Sequence, residues 1–267
     1  MIGQENIKNK LLNLYLSNKL PSVIILNAQE GYGKKEFIKW FSESTKIPYR
    51  LFTKTKDKTI IDLEQVQEAM NDSINEYTKV IYAFENIEDN YKVQNALLKF
   101  LEEPPVNVIV FILCKNPALL FNTIKNRGIN IYFERYTREQ LAIFNNDELA
   151  LELFDTPKTL LYSKNIDINK LVATTDKIVD KLDLANISNS LKLSSLVDKD
   201  KEDAYDINMF IKALKYSYYK KYKETKNDIY KYKFFNLEKA LSNIRNNSKY
   251  FMDNFIIDNY MRLNKWK

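Results

Sequence analysis

The apolar run Val23-Ile24-Ile25-Leu26 leads within a few residues into Gly31-Tyr32-Gly33-Lys34-Lys35, and the reading of this stretch decides the fold. Only four glycines occur in 267 residues, so two of them here mark a position that needs their backbone freedom. Phe37, Trp40 and Phe41 follow at helical spacing. Strand, glycine turn and helix is the arrangement that aims backbone N–H groups at a phosphate. A working phosphate loop reads G-x-x-x-x-G-K-[ST]. Counted back from Gly33-Lys34, the first glycine position holds Ala28, and the Ser/Thr position holds Lys35. The stretch therefore keeps the lysine and the tight turn but lacks the hydroxyl that ligates Mg²⁺. Gly31, Gly33 and Lys34 are the candidates for a residual phosphate site, with no metal ligand beside them. The plainer alternative is an ordinary turn into a helix.

Composition narrows the chemistry. With 45% hydrophobic residues the chain can bury a real core and divide into two or three domains. It has one cysteine, Cys114, so neither a disulfide nor a cysteine zinc site can form within it. Histidine is absent, which removes imidazole catalysis and histidine metal ligation. No apolar run approaches the ~18 residues a membrane span needs, and the start carries no basic, apolar leader, so a cytoplasmic protein is expected. The net charge of +6 permits contact with nucleic acid without requiring it.

Along the chain, helix-like and strand-like segments alternate. Helices are expected at 4–19, 34–45, 60–76 and 91–103, with a short one at 119–125. Strands are expected at 22–27, 49–52, 79–84, 108–113 and 129–133. Pro104-Pro105 stops the fourth helix. Several strands are almost continuously apolar, which predicts a parallel sheet covered on both faces. Beyond about residue 136 the strand signal ends and the rest reads as helical. The expected organisation is an α/β domain at 1–136, a small helical domain at 137–186 and a second helical domain at 187–267. The charge run Asp198 to Asp203 reads as a solvated loop or helix start.

Residues 95–105, Asn-Ala-Leu-Leu-Lys-Phe-Leu-Glu-Glu-Pro-Pro, closely resemble a segment of bacterial clamp-loader subunits, the AAA+ proteins of the DNA polymerase III holoenzyme. Other pieces resemble that family in order. They are Ile2-Gly3-Gln4-Glu5 at the opening, Lys79 to Glu85 at the Walker B strand and Phe111 to Cys114 at the sensor 1 strand. Thr123-Ile124-Lys125-Asn126-Arg127-Gly128 lies where the family carries a Ser-Arg-Cys motif. The resemblance covers residues 1–136 well and the remainder weakly, although Asn246-Asn247 with Phe251 to Tyr260 is similar to the family's last collar helix. It implies a parallel five-stranded AAA+ domain, a helical lid and a helical collar.

The departures point to one branch of the family. The hydrolysing subunits end the Walker B strand with Asp-Glu, where this chain has Phe84-Glu85. The sensor 1 position offers only Lys115 and Asn116 as polar candidates, no arginine stands near Pro157-Lys158-Thr159 where sensor 2 would fall, and the four-cysteine zinc module is missing. Without a metal ligand, charge developing on a γ-phosphate has nothing to neutralise it. The pattern is similar to the delta-prime subunit, which does not hydrolyse ATP. The resemblance then implies that Arg127 serves as an arginine finger in trans. The implied partners are gamma/tau-like ATPase subunits, a delta-like subunit, the sliding clamp and primed DNA through the complex. No cofactor is required for that role. Residual ATP binding without hydrolysis is the one nucleotide contact the loop allows. Two other readings stay open at this stage. One is an ATP-hydrolysing motor subunit of a divergent system, the other a DNA-binding or scaffold protein that kept only the fold.

Other residues have ordinary explanations. Arg127 also suits a helix end, where a cation meets the dipole favourably. Glu102 and Glu103 complete a helix before the proline stop and receive no catalytic role. Cys114 reads as a small buried hydrophobe. Residues 212–233 carry eight lysines against two acids, with tyrosines among them. The segment suits either single-stranded DNA or a packed collar helix, and packing is preferred.

Overall fold

The computed structural model describes residues 1–53, 64, 66–68, 71, 78–182 and 205–241. The chain divides into two compact units. One comprises residues 1–140 with 156–158, the other residues 141–155 with 159–267.

The first unit is built on strands β1 (Val23–Asn27), β2 (Tyr49–Phe52), β3 (Val80–Glu85), β4 (Val108–Cys114) and β5 (Ile129–Tyr132). All pair in parallel, in the order β2-β3-β4-β1-β5. The three central strands are buried almost throughout, as a parallel sheet with two covered faces requires. Alternation sorts their side chains. Val23, Ile25, Tyr82, Phe84, Val110 and Ile112 share a cluster with Val93, Leu97 and Phe100 of α3 (Tyr91–Glu102). Ile24, Leu26, Ile81, Ala83, Phe111 and Leu113 meet Ile7 and Leu11 of α1 (Glu5–Leu16) and Phe37, Ile38 and Phe41 of α2 (Lys34–Thr45). Asn90 caps α3 by accepting the N–H of Lys92 at 3.0 Å and of Val93 at 3.4 Å. The helix ends at Glu102, two residues before Pro104.

The five expected strands and the first helices lie within a few residues of their predicted places. One expected helix differs. Residues 119–125 are split into a 3-10 turn, Pro117–Leu119, and α4, Asn122–Lys125. Asn116 starts the turn by accepting from Ala118 N–H at 3.1 Å, and Leu120 then becomes extended. Most of the helix expected at 60–76 lies outside the described residues. So do the charge run 198–203, the boundary near 186 and the terminal segment from Asn246 to Tyr260.

After β5 the described residues contain helices and no strand: α5 (Arg138–Ala142), α6 (Glu148–Leu153), α7 (Pro157–Ser163), α8 (Ile168–Leu182), α9 (Ile207–Thr225) and α10 (Asp228–Leu241). Within the second unit α9 packs on α8 and α10. Thr175 and Ser217 hydroxyls meet at 2.8 Å in the buried α8–α9 seam, flanked by Lys220–Asp176 at 3.0 Å and Lys221–Asp180 at 2.6 Å. No helix among the described residues is long and apolar enough to cross a membrane.

Candidate functional site

β1 ends at Asn27 and α2 begins at Lys34, so the loop between them sits at the carboxyl end of the sheet. Gly31 and Gly33 adopt φ of 89° and 84°, a region that favours glycine. A Cβ on Gly31 would approach Thr156 Oγ1 to 2.9 Å and Lys158 Cβ to 3.1 Å, so residues 156–158 pack on the loop. Lys158, at the place expected for a lid arginine, pairs with Glu30 of the loop itself. Tyr136 covers the loop from another side. Its hydroxyl donates to Tyr32 carbonyl oxygen at 2.9 Å, with the two rings 5.8 Å apart.

Lys34 is buried, 8% exposed, and its ammonium is spent on the loop. Nζ donates to the carbonyl oxygens of Ala28 and, at 3.2 Å, Gln29. Burial pulls its pKa below the usual lysine range, opposed by the carboxylates of Glu88, Glu85 and Glu30. Glu88 is a second deeply buried charge carrier near this loop, 3% exposed. Its Oε1 accepts the backbone N–H of Lys115 at 2.7 Å and of Asn116 at 3.3 Å, while Oε2 has no hydrogen-bond partner among the described residues. Burial raises the Glu88 carboxyl above its ordinary range, and those N–H groups oppose the rise. Cys114 is fully buried, and burial and Glu88 push its thiol up, away from reactive thiolate chemistry. The two sensor 1 candidates turn elsewhere. Lys115 Nζ pairs with Asp89, and Asn116 caps the following turn.

Other chemistry stands at the positions where the resembled family holds its metal. Lys35 Nζ lies 2.8 Å from Glu85 Oε2, and that oxygen also accepts from Thr53 Oγ1. Phe84 is fully buried and stacks on Phe52, with ring centroids 4.9 Å apart and planes at 17°. A magnesium ion needs oxygen donors here. One position offers an ammonium, the next a phenyl ring, and the remaining carboxylate is already bound. These residues do not fit a catalytic Mg²⁺.

Arg127 lies at the opposite end of the sheet. The next residue, Gly128, is packed on the first residue of β1, since a Cβ there would meet Val23 Cγ1 at 2.9 Å and Val23 carbonyl oxygen at 3.1 Å. The glycine loop follows the last residue of β1, so the strand's length, ~13 Å at 3.3 Å per residue, separates the two. Arg127 Nη1 donates to Thr123 carbonyl oxygen at 2.8 Å, and Nη2 pairs with Glu102. The structure thus brings Gly31, Gly33 and Lys34 together and leaves Arg127 apart from them.

Sequence reasoning missed Glu88, Thr53, Tyr136 and Thr156 as parts of this site. None stands in a recognisable motif, and each arrives through tertiary packing alone. In the segment 212–233 several of the lysines are engaged. Lys212 pairs with Asp155, Lys215 lies over Phe234, and Lys233 lies over the rings of Tyr218 and Tyr230. That agrees with packing, except that several lysines meet acids or rings rather than water alone.

A parallel five-stranded sheet in this strand order, with a glycine loop at the carboxyl end of β1 and a helical C-terminal part, is an α/β fold that matches the fold of AAA+ proteins. Residues 49–137, about a third of the chain, match the family model described as DNA polymerase III, delta subunit. Among solved structures, the chain is similar to a DNA polymerase III gamma subunit-related protein from Thermotoga maritima. The identity is 16%, covering 95% of this chain and 98% of that one, at a TM-score of 0.54. It is also similar to a mutant of RuvB from Thermotoga maritima, at 15% identity over 81% of this chain and 70% of that one, with a TM-score of 0.48. No curated protein matches the sequence.

Proposed function

We propose that this chain is a non-hydrolysing, delta-prime-like subunit of a replicative clamp loader, working in the cytoplasm as one member of a hetero-oligomeric ring. Residues 1–136 form its AAA+ domain, 137–186 its lid and 187–267 the collar that joins the ring. Its partners are gamma/tau-like ATPase subunits and a delta-like subunit. Together they open a sliding clamp and place it on primed DNA. The observation that carries the reading is the Lys35–Glu85 pair, which occupies both positions a hydrolysing subunit gives to magnesium and to the attacking water. An enzyme of this fold with its metal ligands replaced is suited to assembly rather than chemistry.

Arg127 gives the subunit its part in the ring's catalysis. Its place at the far end of β1 from its own loop suits an arginine that serves another chain. There a guanidinium stabilises charge on the γ-phosphate of a neighbour's ATP as the bond breaks. Any nucleotide contact of its own is limited to Gly31, Gly33 and Lys34, with no hydrolysis. The test is co-purification from the native host, followed by clamp loading on primed DNA. The reading expects an AAA+ subunit with an intact phosphate loop to accompany this chain, and Arg127→Ala to leave the ring assembled while impairing loading. Isolation without such a partner, or normal loading by an assembled Arg127→Ala ring, would contradict it.

A further inference from the structure

Glu102 and Arg127 come from segments 25 residues apart and meet as an ion pair. Glu102 is the last residue of α3, where a carboxylate faces the negative end of the helix dipole. Its side chain is 51% exposed, so burial gives it no reason to be there. Its contact is with the arginine. Arg127 in turn is held at two different nitrogens, Nη1 by the carbonyl of Thr123 and Nη2 by the Glu102 carboxylate. A guanidinium is a rigid plane with five N–H donors. Two anchors on separate nitrogens fix the direction of that plane and leave other donors for an incoming anion. An exposed ion pair contributes little to a fold's stability, so stability does not account for the arrangement.

We infer that Glu102 is a positioning residue for Arg127, holding the fork ready for the neighbouring subunit's phosphate. This rests on the reading that Arg127 acts in trans. A long arginine side chain held at Thr123 alone would sample several rotamers, and each unproductive one lowers the fraction of encounters in which charge is stabilised. Glu102→Gln keeps the size of the side chain and removes its charge, and with it the strong half of the anchor.

The experiment uses the assembled ring, co-purified with its partners, and measures clamp loading on primed DNA by Glu102→Gln, Arg127→Ala and the double variant. Gel filtration and thermal unfolding check assembly and folding. The expected result is a loss of about tenfold for Glu102→Gln at unchanged melting temperature. A larger loss is expected for Arg127→Ala, and no further loss when Glu102→Gln is added to it. A loading defect in Arg127→Ala with normal loading by Glu102→Gln would overturn this inference and leave the trans role standing. A Glu102→Gln defect that persists undiminished in the Arg127→Ala background would also overturn it. Normal loading by Arg127→Ala would remove the trans role and this inference with it.

Discussion

Lys35 Nζ lies 2.8 Å from Glu85 Oε2, joining the first turn of α2 to the end of β3 where a hydrolysing relative would place a metal ion. The pair is half-exposed on the lysine side and largely buried on the glutamate side. A double-mutant cycle with Lys35→Ala and Glu85→Ala should give a coupling of about 1 kcal/mol in urea unfolding. Added Mg²⁺ should leave that coupling unchanged. A coupling near zero would mean that the contact does not form in solution.

Phe84 should resist replacement by the aspartate that the resembled family carries at this position. Its ring is fully buried and stacked on Phe52. Phe84→Asp removes that packing and buries a carboxylate, so it should cost at least about 3–5 kcal/mol, the range for losing a core aromatic. Denaturant unfolding would measure this, and a variant as stable as the parent would show that the position opens to solvent.

How much of this was legible beforehand follows from how each part is encoded. The strands announced themselves because Val23-Ile24-Ile25-Leu26 and Val108 to Leu113 are apolar runs, and a doubly covered parallel sheet needs just such runs. Lys35 and Phe84 were also legible as departures, since they stand at fixed offsets from Gly33 and Asn95. What became of those residues was not. That Lys35 would find Glu85, or that Lys34 would turn back to Ala28 and Gln29, depends on side-chain geometry that spacing does not carry. Glu88 was invisible for the same reason, because its environment is made by backbone N–H groups 27 and 28 residues away.

Gly128 stands where the resembled family has a cysteine, and the packing gives a reason. A Cβ there would press on Val23 Cγ1 and on the Val23 carbonyl oxygen, and a backbone atom of a hydrogen-bonded central strand cannot easily move. Gly128→Ala should therefore destabilise the chain by about 1–3 kcal/mol. Val23→Ala should relieve part of the strain, so the double variant should be more stable than the two single losses would add to. Strict additivity in urea unfolding would argue against this contact.

The buried Glu88 makes a pH prediction. Its carboxyl is raised in the folded chain, so the folded state holds the proton more tightly than the unfolded state does. Stability from this group is present at low pH and is lost as pH climbs from the ordinary carboxylate range near 4.5 through the raised value. Glu88→Gln removes that loss, and its amide oxygen can still accept from Lys115 and Asn116. The variant's stability relative to the parent should therefore increase as pH rises above about 4.5. Glu88 is also the foremost support for the charge on Lys34, so the comparison is made in a Lys34→Met background, where that second titration is absent. A relative stability that stays flat or falls over that range would contradict the assignment.

The central proposal is that this chain does not hydrolyse ATP, and steady-state ATP turnover by the purified protein in the presence of Mg²⁺ tests it most directly. The account predicts no turnover above background, and none gained in Lys35→Thr, because Phe84 still denies the metal a carboxylate. Turnover of ~1 s⁻¹, in the range of working enzymes, that vanishes in Lys34→Ala would contradict it.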